Sequence, residues 1–382
     1  MLRRTRSIVL TSIAAAGLVA AAAGVVTQAA PALAATTFNV YMAPSASGGS
    51  DAHTGLSTSS PVLTMSRVQA VIRAAAPATD VVVDILQGSY TVGETDWTYY
   101  IPGHTISFMA HGYVSGGGRP AAGDPIFTNT TSGGVHPAAW WFKALTPGAS
   151  DPFHNGGTTG LRFYYLRVRD YTGGISFDGQ TGHTYLDSQS PPMYIKPSAG
   201  VNGNTVFGMS FEQIGNAYTD GTWGYAAILF TDSSSNTIDN NTFDHVVNTT
   251  NPGAIHDLYI THFSSSNTVT RNKFVTVSSH SVKVRDRSNF TVVDNNTFND
   301  TGGNAAYRDE FCDLACVQAN PGTPRQCASY DNRFENNSIG TAYGSSASQA
   351  TWSMSPSGLT YAGGSGCSIP SQYQRLITSG NT

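Results

Sequence analysis

The sequence predicts an all-β chain wound as a parallel β-helix, a solenoid with a short N-terminal capping helix. Three observations carry that prediction. A degenerate repeat, Asn-x-Val/Ile-x-x-Asn-x-Phe, recurs after residue 200. Each copy from Asn236 to Asn289 follows a short alternating run, Ile228 to Thr231, Leu258 to Thr261 and Ser281 to Val284. No helical period of comparable strength appears after residue 85.

The repeat runs from Asn236 to Phe243, from Asn267 to Phe274 and, with two extra residues, from Asn289 to Phe298. Degenerate copies open the series at Asn204 to Phe211 and close it at Asn332 to Ile339. Their terminal apolar residues stand 32, 31, 24 and 41 positions apart, which is one superhelical turn per repeat with loops of differing length. Asn and Gly tolerate the left-handed backbone that lets a short coil turn several times. Coils stacked about 4.8 Å apart then align identical side chains. The expected ladders are Phe243 over Phe274 over Phe298 inside, and Asn240 or Asn241 over Asn272 at the turns. A β-sandwich needs no such parallel repeat.

The remaining elements follow in chain order. Residues 1–34 read Arg3, Arg4, Arg6, an apolar stretch from Ile8 to Val26 and Ala32-Leu33-Ala34, the order of a secretory signal peptide. Residues 35–80 hold an N-terminal strand and a capping helix over 64–76. Thr64 or Ser66 is its N-cap, and Val68, Val71 and Ile72 are its apolar face. Residues 81–345 form the coil stack and 346–382 a C-terminal tail.

Only 12% of the 382 residues are charged, and loss of the signal takes the formal net charge from −4 to −7. That balance argues against nucleic-acid and membrane-surface partners. Cys312, Cys316, Cys327 and Cys367 lie in the last fifth of an exported chain, so two disulfides are expected, in one of three pairings. A zinc site lacks a matching second pair of ligands.

The opening Tyr41-Met-Ala-Pro-Ser-Ala-Ser-Gly-Gly-Ser-Asp51, then Thr54-Gly55, Ser60-Pro61, the helix, Val81 to Ile85 and Gly88-Ser89-Tyr90 resembles secreted right-handed parallel β-helix proteins of the pectin-lyase-like superfamily. The Asn-rich repeats resemble the same group, so the likeness spans most of residues 37–345. It implies a right-handed coil and a secreted carbohydrate-active protein. It leaves the activity open, since one fold hosts many chemistries.

In such a stack the outward residues of successive strands line a groove for a polysaccharide. Counting back from Asn236, Asn267 and Asn289 places Phe230, Thr261 and Lys283 in one column, Asp232, Phe263 and Arg285 in the next, and Leu229, Ile260 and Val282 in an apolar column. Lys283 and Arg285 are therefore expected to point outward together, near His280 and Arg287, with His256, Asp257, Tyr259 and His262 one turn earlier.

Elimination of a uronate needs a cation to neutralise its carboxylate, a base for the C5 proton and an acid for the leaving oxygen. Arg285 is the expected neutraliser, Lys283 or His256 the base, and Tyr259 or His262 the acid. His280, Arg287, Arg308 and Asp257 are expected substrate contacts. The bland alternative is a solvated face in which Lys283, Arg285 and Arg287 pair with Asp286 and Asp257. Val282 to Asn289 is similar to the lysine-bearing strand of β-helix alginate and chondroitin lyases. It lacks the nearby Glu residues that hold calcium there, so no metal or cofactor is assigned.

The favoured expectation is a secreted, monomeric polysaccharide lyase acting on a uronate-containing polymer. A glycoside hydrolase or transferase on the same fold is the second reading, although the chain has no Asp-Asp pair and none of the motifs of β-helix polygalacturonases. The third is a noncatalytic binder that stacks sugars on Trp97, Tyr99, Tyr100, Trp140, Trp141, Tyr164, Tyr165 or Trp223. Arg308-Asp309-Glu310 reads more readily as a solvated loop start than as a rim of the groove. Asp51 and His53 sit in a Gly/Ser turn that is too weak a signal for an ion site.

Overall fold

A computed structural model describes residues 37–146, 158–181, 186–197, 200–356, 367 and 372–382. The expected signal peptide, 1–34, lies outside them, as does part of the expected tail. Among the described residues the strands form three parallel sheets, ten strands in sheet I and eight each in sheets II and III. One coil passes through all three, as in Thr237–Asp239 of sheet I, Thr242–Val246 of sheet II and His256–Thr261 of sheet III. The next coil lies in register on it, Thr237 against Thr268 and Phe243 against Phe274. The architecture is the expected right-handed parallel β-helix.

The turn from sheet I to sheet II is the invariant part of the coil. Its first residue is left-handed in successive coils, with φ of 58° at Asn240, 55° at Arg271, 56° at Asn295 and 54° at Asn336. A buried asparagine follows. The Asn272 side-chain oxygen accepts from the Asn241 backbone N–H at 2.9 Å, Asn296 serves Asn272 at 2.8 Å, and Asn337 serves Asn296 at 2.9 Å. Each amide thus satisfies a buried backbone donor that the tight turn leaves without a strand partner. The ladder residue is Asn241 rather than Asn240.

Inside sheet II, Phe211, Phe243, Phe274 and Phe298 stack with ring centroids 5.2, 5.0 and 4.7 Å apart. Ile339 continues the column in register with Phe298. At the N-terminal end, helix Met65–Ala75 buries Met65, Val68, Val71 and Ile72 and packs over Phe38–Met42 and Thr95–Trp97. Thr64 caps it, accepting from Arg67 N–H at 3.1 Å. Asp51 accepts from the Leu63 and Thr64 N–H groups and the Thr64 hydroxyl, at 3.0, 2.9 and 2.7 Å, so this carboxylate anchors the helix start. The coil stack runs past residue 345, since Trp352–Ser355 extends sheet III and Leu376–Ser379 extends sheet I.

The strand columns of sheet III differ from those counted back from the asparagines. Phe230 pairs with Ile260, and Thr261 pairs with Thr231. Lys283 pairs with Tyr259, and Val282 with Leu258. The offsets have two local causes. The Asn267 copy has one more residue between its strand and its ladder asparagine than the Asn236 copy, since Thr231 pairs with Thr261 while Thr237 pairs with Thr268. In the Asn289 copy the ladder position is filled by buried Thr291, whose N–H donates to Asn332 Oδ1 at 2.8 Å, with Asn289 two residues earlier in the turn. The interior columns are Ile228, Leu258, Val282 and Phe230, Ile260, Val284, all fully buried.

Candidate functional site

Alternation along the strands of sheet III sends Val282 and Val284 inward and Lys283 and Arg285 outward. Register then aligns Tyr259, Lys283 and Arg308 in one outward column and Arg285 with Glu310 in the next. Arg308-Asp309-Glu310 is therefore strand, within Tyr307–Glu310, and not a solvated loop start. Asp309 occupies the inward position where an apolar residue would normally announce a strand. It is fully buried and paired with Arg375 at 3.2 Å. Burial nevertheless raises its carboxyl to about 6, with Arg375 opposing the rise.

Glu310 is the hub of the site. Its carboxylate meets Lys283 Nζ at 2.8 Å, Arg308 Nε at 2.9 Å and Arg285 Nη1 at 3.5 Å. Burial alone would raise this carboxyl, but Lys283 first, then Arg308 and Arg285, outweigh it and bring it down to about 2. Three cations on one anion leave a local excess of positive charge in an acidic protein. Tyr259 lies among them, its hydroxyl 3.5 Å from Arg285 Nη1 and its ring 5.4 Å from Lys283 Nζ.

Behind Tyr259 stand two histidines. His256 packs edge-on against the Tyr259 ring at 5.3 Å and lies parallel to His280 at 5.9 Å. His256 Nδ1 contacts the His280 carbonyl at 3.0 Å and His280 Nδ1 contacts the Ala305 carbonyl at 2.8 Å. A carbonyl only accepts, so both Nδ1 atoms carry hydrogen, and in the neutral ring Nε2 is left as the acceptor. Burial holds His256 well below the usual histidine range and brings His280 down to about 4. His256 is 1% exposed. It supports Tyr259 from behind and does not reach a surface ligand, which corrects its expected role as base.

The other expected residues separate. His262 contacts Asp286 Oδ2 through Nδ1 at 2.8 Å, and Tyr194 covers its ring with centroids 4.2 Å apart. Burial would raise the Asp286 carboxyl, but His262 and Arg287 hold it low. Arg287 is held on Asp286 at 2.8 Å and over the Phe263 ring at 4.2 Å, in the turn beyond the strand. Asp257 is fully buried, and burial pushes its carboxyl well up, so the expected contact of Asp257 with a polymer is not formed.

Two loops flank the outward columns. Gln189 to Tyr194 belongs to the connection after strand Gly173–Asp178, and Phe311 to Asp331 to the connection after Tyr307–Glu310. They meet where Arg325 N–H donates to the Pro192 carbonyl at 2.8 Å. The second loop carries both disulfides, Cys312 to Cys316 within the loop and Cys327 to Cys367 toward the C-terminal segment. Only the second ties the tail down. Gln326 of this loop accepts from Arg285 Nε at 2.6 Å. Sequence gave no pointer to Gln326, which a loop of the Glu310 coil brings back to Arg285, or to Tyr194, which reaches the site from the coil of Gly173–Asp178.

Most of the aromatic residues considered for sugar stacking are buried. Trp97 and Trp141 are fully buried, and Tyr100, Trp140, Tyr164 and Tyr165 nearly so. Among the described residues no three His, Cys, Asp or Glu side chains converge as a metal site. No helix among them is long and apolar enough to cross a membrane.

No protein-family profile and no curated protein sequence matches the chain. Among solved structures it is similar to a rhamnogalacturonan lyase, at 12% identity over 78% of this chain and 81% of that one, with a TM-score of 0.30. A likeness of that size does not bear on the residues of the site.

Proposed function

We propose that this protein is an extracellular polysaccharide lyase that cleaves a uronate-containing polymer by β-elimination on the outer face of sheet III. The observation that carries the reading is the convergence of Lys283, Arg285 and Arg308 on Glu310, with the Tyr259 hydroxyl 3.5 Å from Arg285. A uronate carboxylate bound by Arg285 and Arg308 has its positive charge supplied in place before C5 becomes a carbanion. C5 is bonded directly to the carboxylate carbon, so the proton acceptor must stand beside the carboxylate-binding cation. Tyr259 stands there.

In this reading Tyr259, as the phenolate, takes the C5 proton. The C4–O bond breaks with its electron pair on the leaving oxygen, which takes a proton from the Lys283 ammonium. A C4=C5 double bond remains, and exchange with water restores both side chains. Lys283 is ion-paired with Glu310 at 2.8 Å, and in this reading it serves as proton donor rather than as the base considered from sequence. The two disulfides fit an oxidising compartment.

The test is incubation with a panel of uronate-containing and neutral polysaccharides, following ultraviolet absorbance of unsaturated uronates beside reducing ends. Absorbance should rise on a uronate polymer. Arg285→Ala and Tyr259→Phe should each lower turnover about 100-fold with circular dichroism unchanged. Reducing ends without absorbance would mean hydrolysis, and binding without product a noncatalytic role; either overturns the proposal.

A further inference from the structure

We infer that Gln326 is the positioning residue of the Arg285 guanidinium, and that the disulfide-stapled loop sets the preference for a carboxylate without touching the polymer. The inference rests on the proposed role of Arg285. A guanidinium offers N–H donors on two edges and its end, and it binds a carboxylate well only when its plane is fixed. Gln326 fixes it by accepting from Nε at 2.6 Å, which leaves the Nη groups for Tyr259, Glu310 and a ligand.

The Gln326 oxygen is itself held. It also accepts from the Cys312 N–H at 3.0 Å, while the Gln326 N–H donates to the Cys312 carbonyl at 2.7 Å. Gln326 is 4% exposed and Cys312 fully buried. Cys312 is bridged to Cys316, and Cys327, the next residue after Gln326, is bridged to Cys367. The Cys327 N–H donates to Asp286 Oδ1 at 3.1 Å, so the same two residues brace Arg285 and the Asp286 partner of His262.

The choice of an amide has a chemical reason. A carboxylate at 326 would accept the same hydrogen but cancel the charge of Arg285. A neutral amide orients the guanidinium and leaves its charge for an anionic ligand. Loss of a hydrogen bond to a charged group lowers kcat/KM by about ten-fold or more.

The experiment compares Gln326→Leu, Gln326→Glu, Arg285→Ala and the Gln326→Leu/Arg285→Ala double variant on the preferred polyuronate and on its methyl ester. Gln326→Leu should lower kcat/KM on the acid about ten-fold or more, spare the ester, and add nothing to Arg285→Ala. Gln326→Glu keeps the size and the acceptor, and should lose the acid-over-ester preference even if Gln326→Leu fails to fold. If Arg285→Ala abolishes that preference while both Gln326 variants keep it, the inference fails and the role of Arg285 stands. Additive losses in the double variant, or equal losses on acid and ester, overturn it as well. If Arg285→Ala keeps the preference, or the wild type turns over no polyuronate, the proposed function fails and this inference with it.

Discussion

Replacing Glu310 by Gln removes the carboxylate on which Lys283, Arg285 and Arg308 converge and leaves three cations facing one another. The fold holds this carboxyl at about 2 against an ordinary value of 4.5. At about 1.4 kcal/mol per decade the difference sets a ceiling of about 3 kcal/mol, and solvent reaching the partly exposed pair lowers it to about 2 kcal/mol. Because the folded value lies below the unfolded one, the stabilisation is complete above pH 4.5 and is lost as pH falls toward 2. Denaturant unfolding of wild type and Glu310→Gln across that range measures it. The wild type should be more stable by about 2 kcal/mol near pH 6, and the gap should close on acidification. A gap that stays constant with pH, or no gap near neutrality, would refute the ion-pair account of the site.

Asn272→Ala removes the acceptor of the Asn241 N–H inside the ladder and should cost about 3 to 5 kcal/mol, whereas Lys273→Ala, on the exposed side of the same turn, should cost under about 0.5 kcal/mol; urea unfolding of the pair separates them. Asp232 is 1% exposed with one carboxyl oxygen unpartnered, and burial raises it to about 7. A raised carboxyl penalises the fold increasingly as pH climbs from 3.8 to about 7, so Asp232→Asn should be more stable than wild type by about 2 kcal/mol near pH 8 and equal to it below pH 3.8, read from unfolding midpoints at the two pH values. Replacing both Cys327 and Cys367 by Ser opens a closure of 40 residues and should destabilise by about 2 to 4 kcal/mol, measured by denaturation against Cys312→Ser/Cys316→Ser, whose closure spans only 4.

The coils from Asn204 to Ile339 were legible because a ladder repeats the same residue once per turn, so Phe243, Phe274 and Phe298 announce their own stacking. The outward pair Lys283 and Arg285 was legible through strand alternation. The columns counted from the asparagines miss their neighbours because one extra residue precedes Asn267 and because Thr291 stands where the ladder asparagine would be, so a count anchored on Asn289 slips by two residues. Glu310 was hidden by Asp309, a buried acid in an apolar position that depends on Arg375, 66 residues away. In the first coils no asparagine repeat marks the turns, and the interior is filled by rings such as Trp97, Phe108, Phe142 and Phe163, of which Trp97 reads equally well as a surface platform. Gln326 and Tyr194 were invisible because loops deliver them, and loop paths have no periodicity.

The bond between Arg325 and Pro192 joins loops that leave strands Gly173–Asp178 and Tyr307–Glu310, which are four strand steps apart in sheet III. At about 4.8 Å per step the join spans about 19 Å along the axis. A stack of coils is mechanically a spring, each turn held only by the turns above and below it. The joined loops act as a strut across four of those turns. Bending or unwinding of that stretch must first break the strut, so Tyr259, Lys283 and Arg308, carried on three successive turns beneath it, keep their mutual spacing.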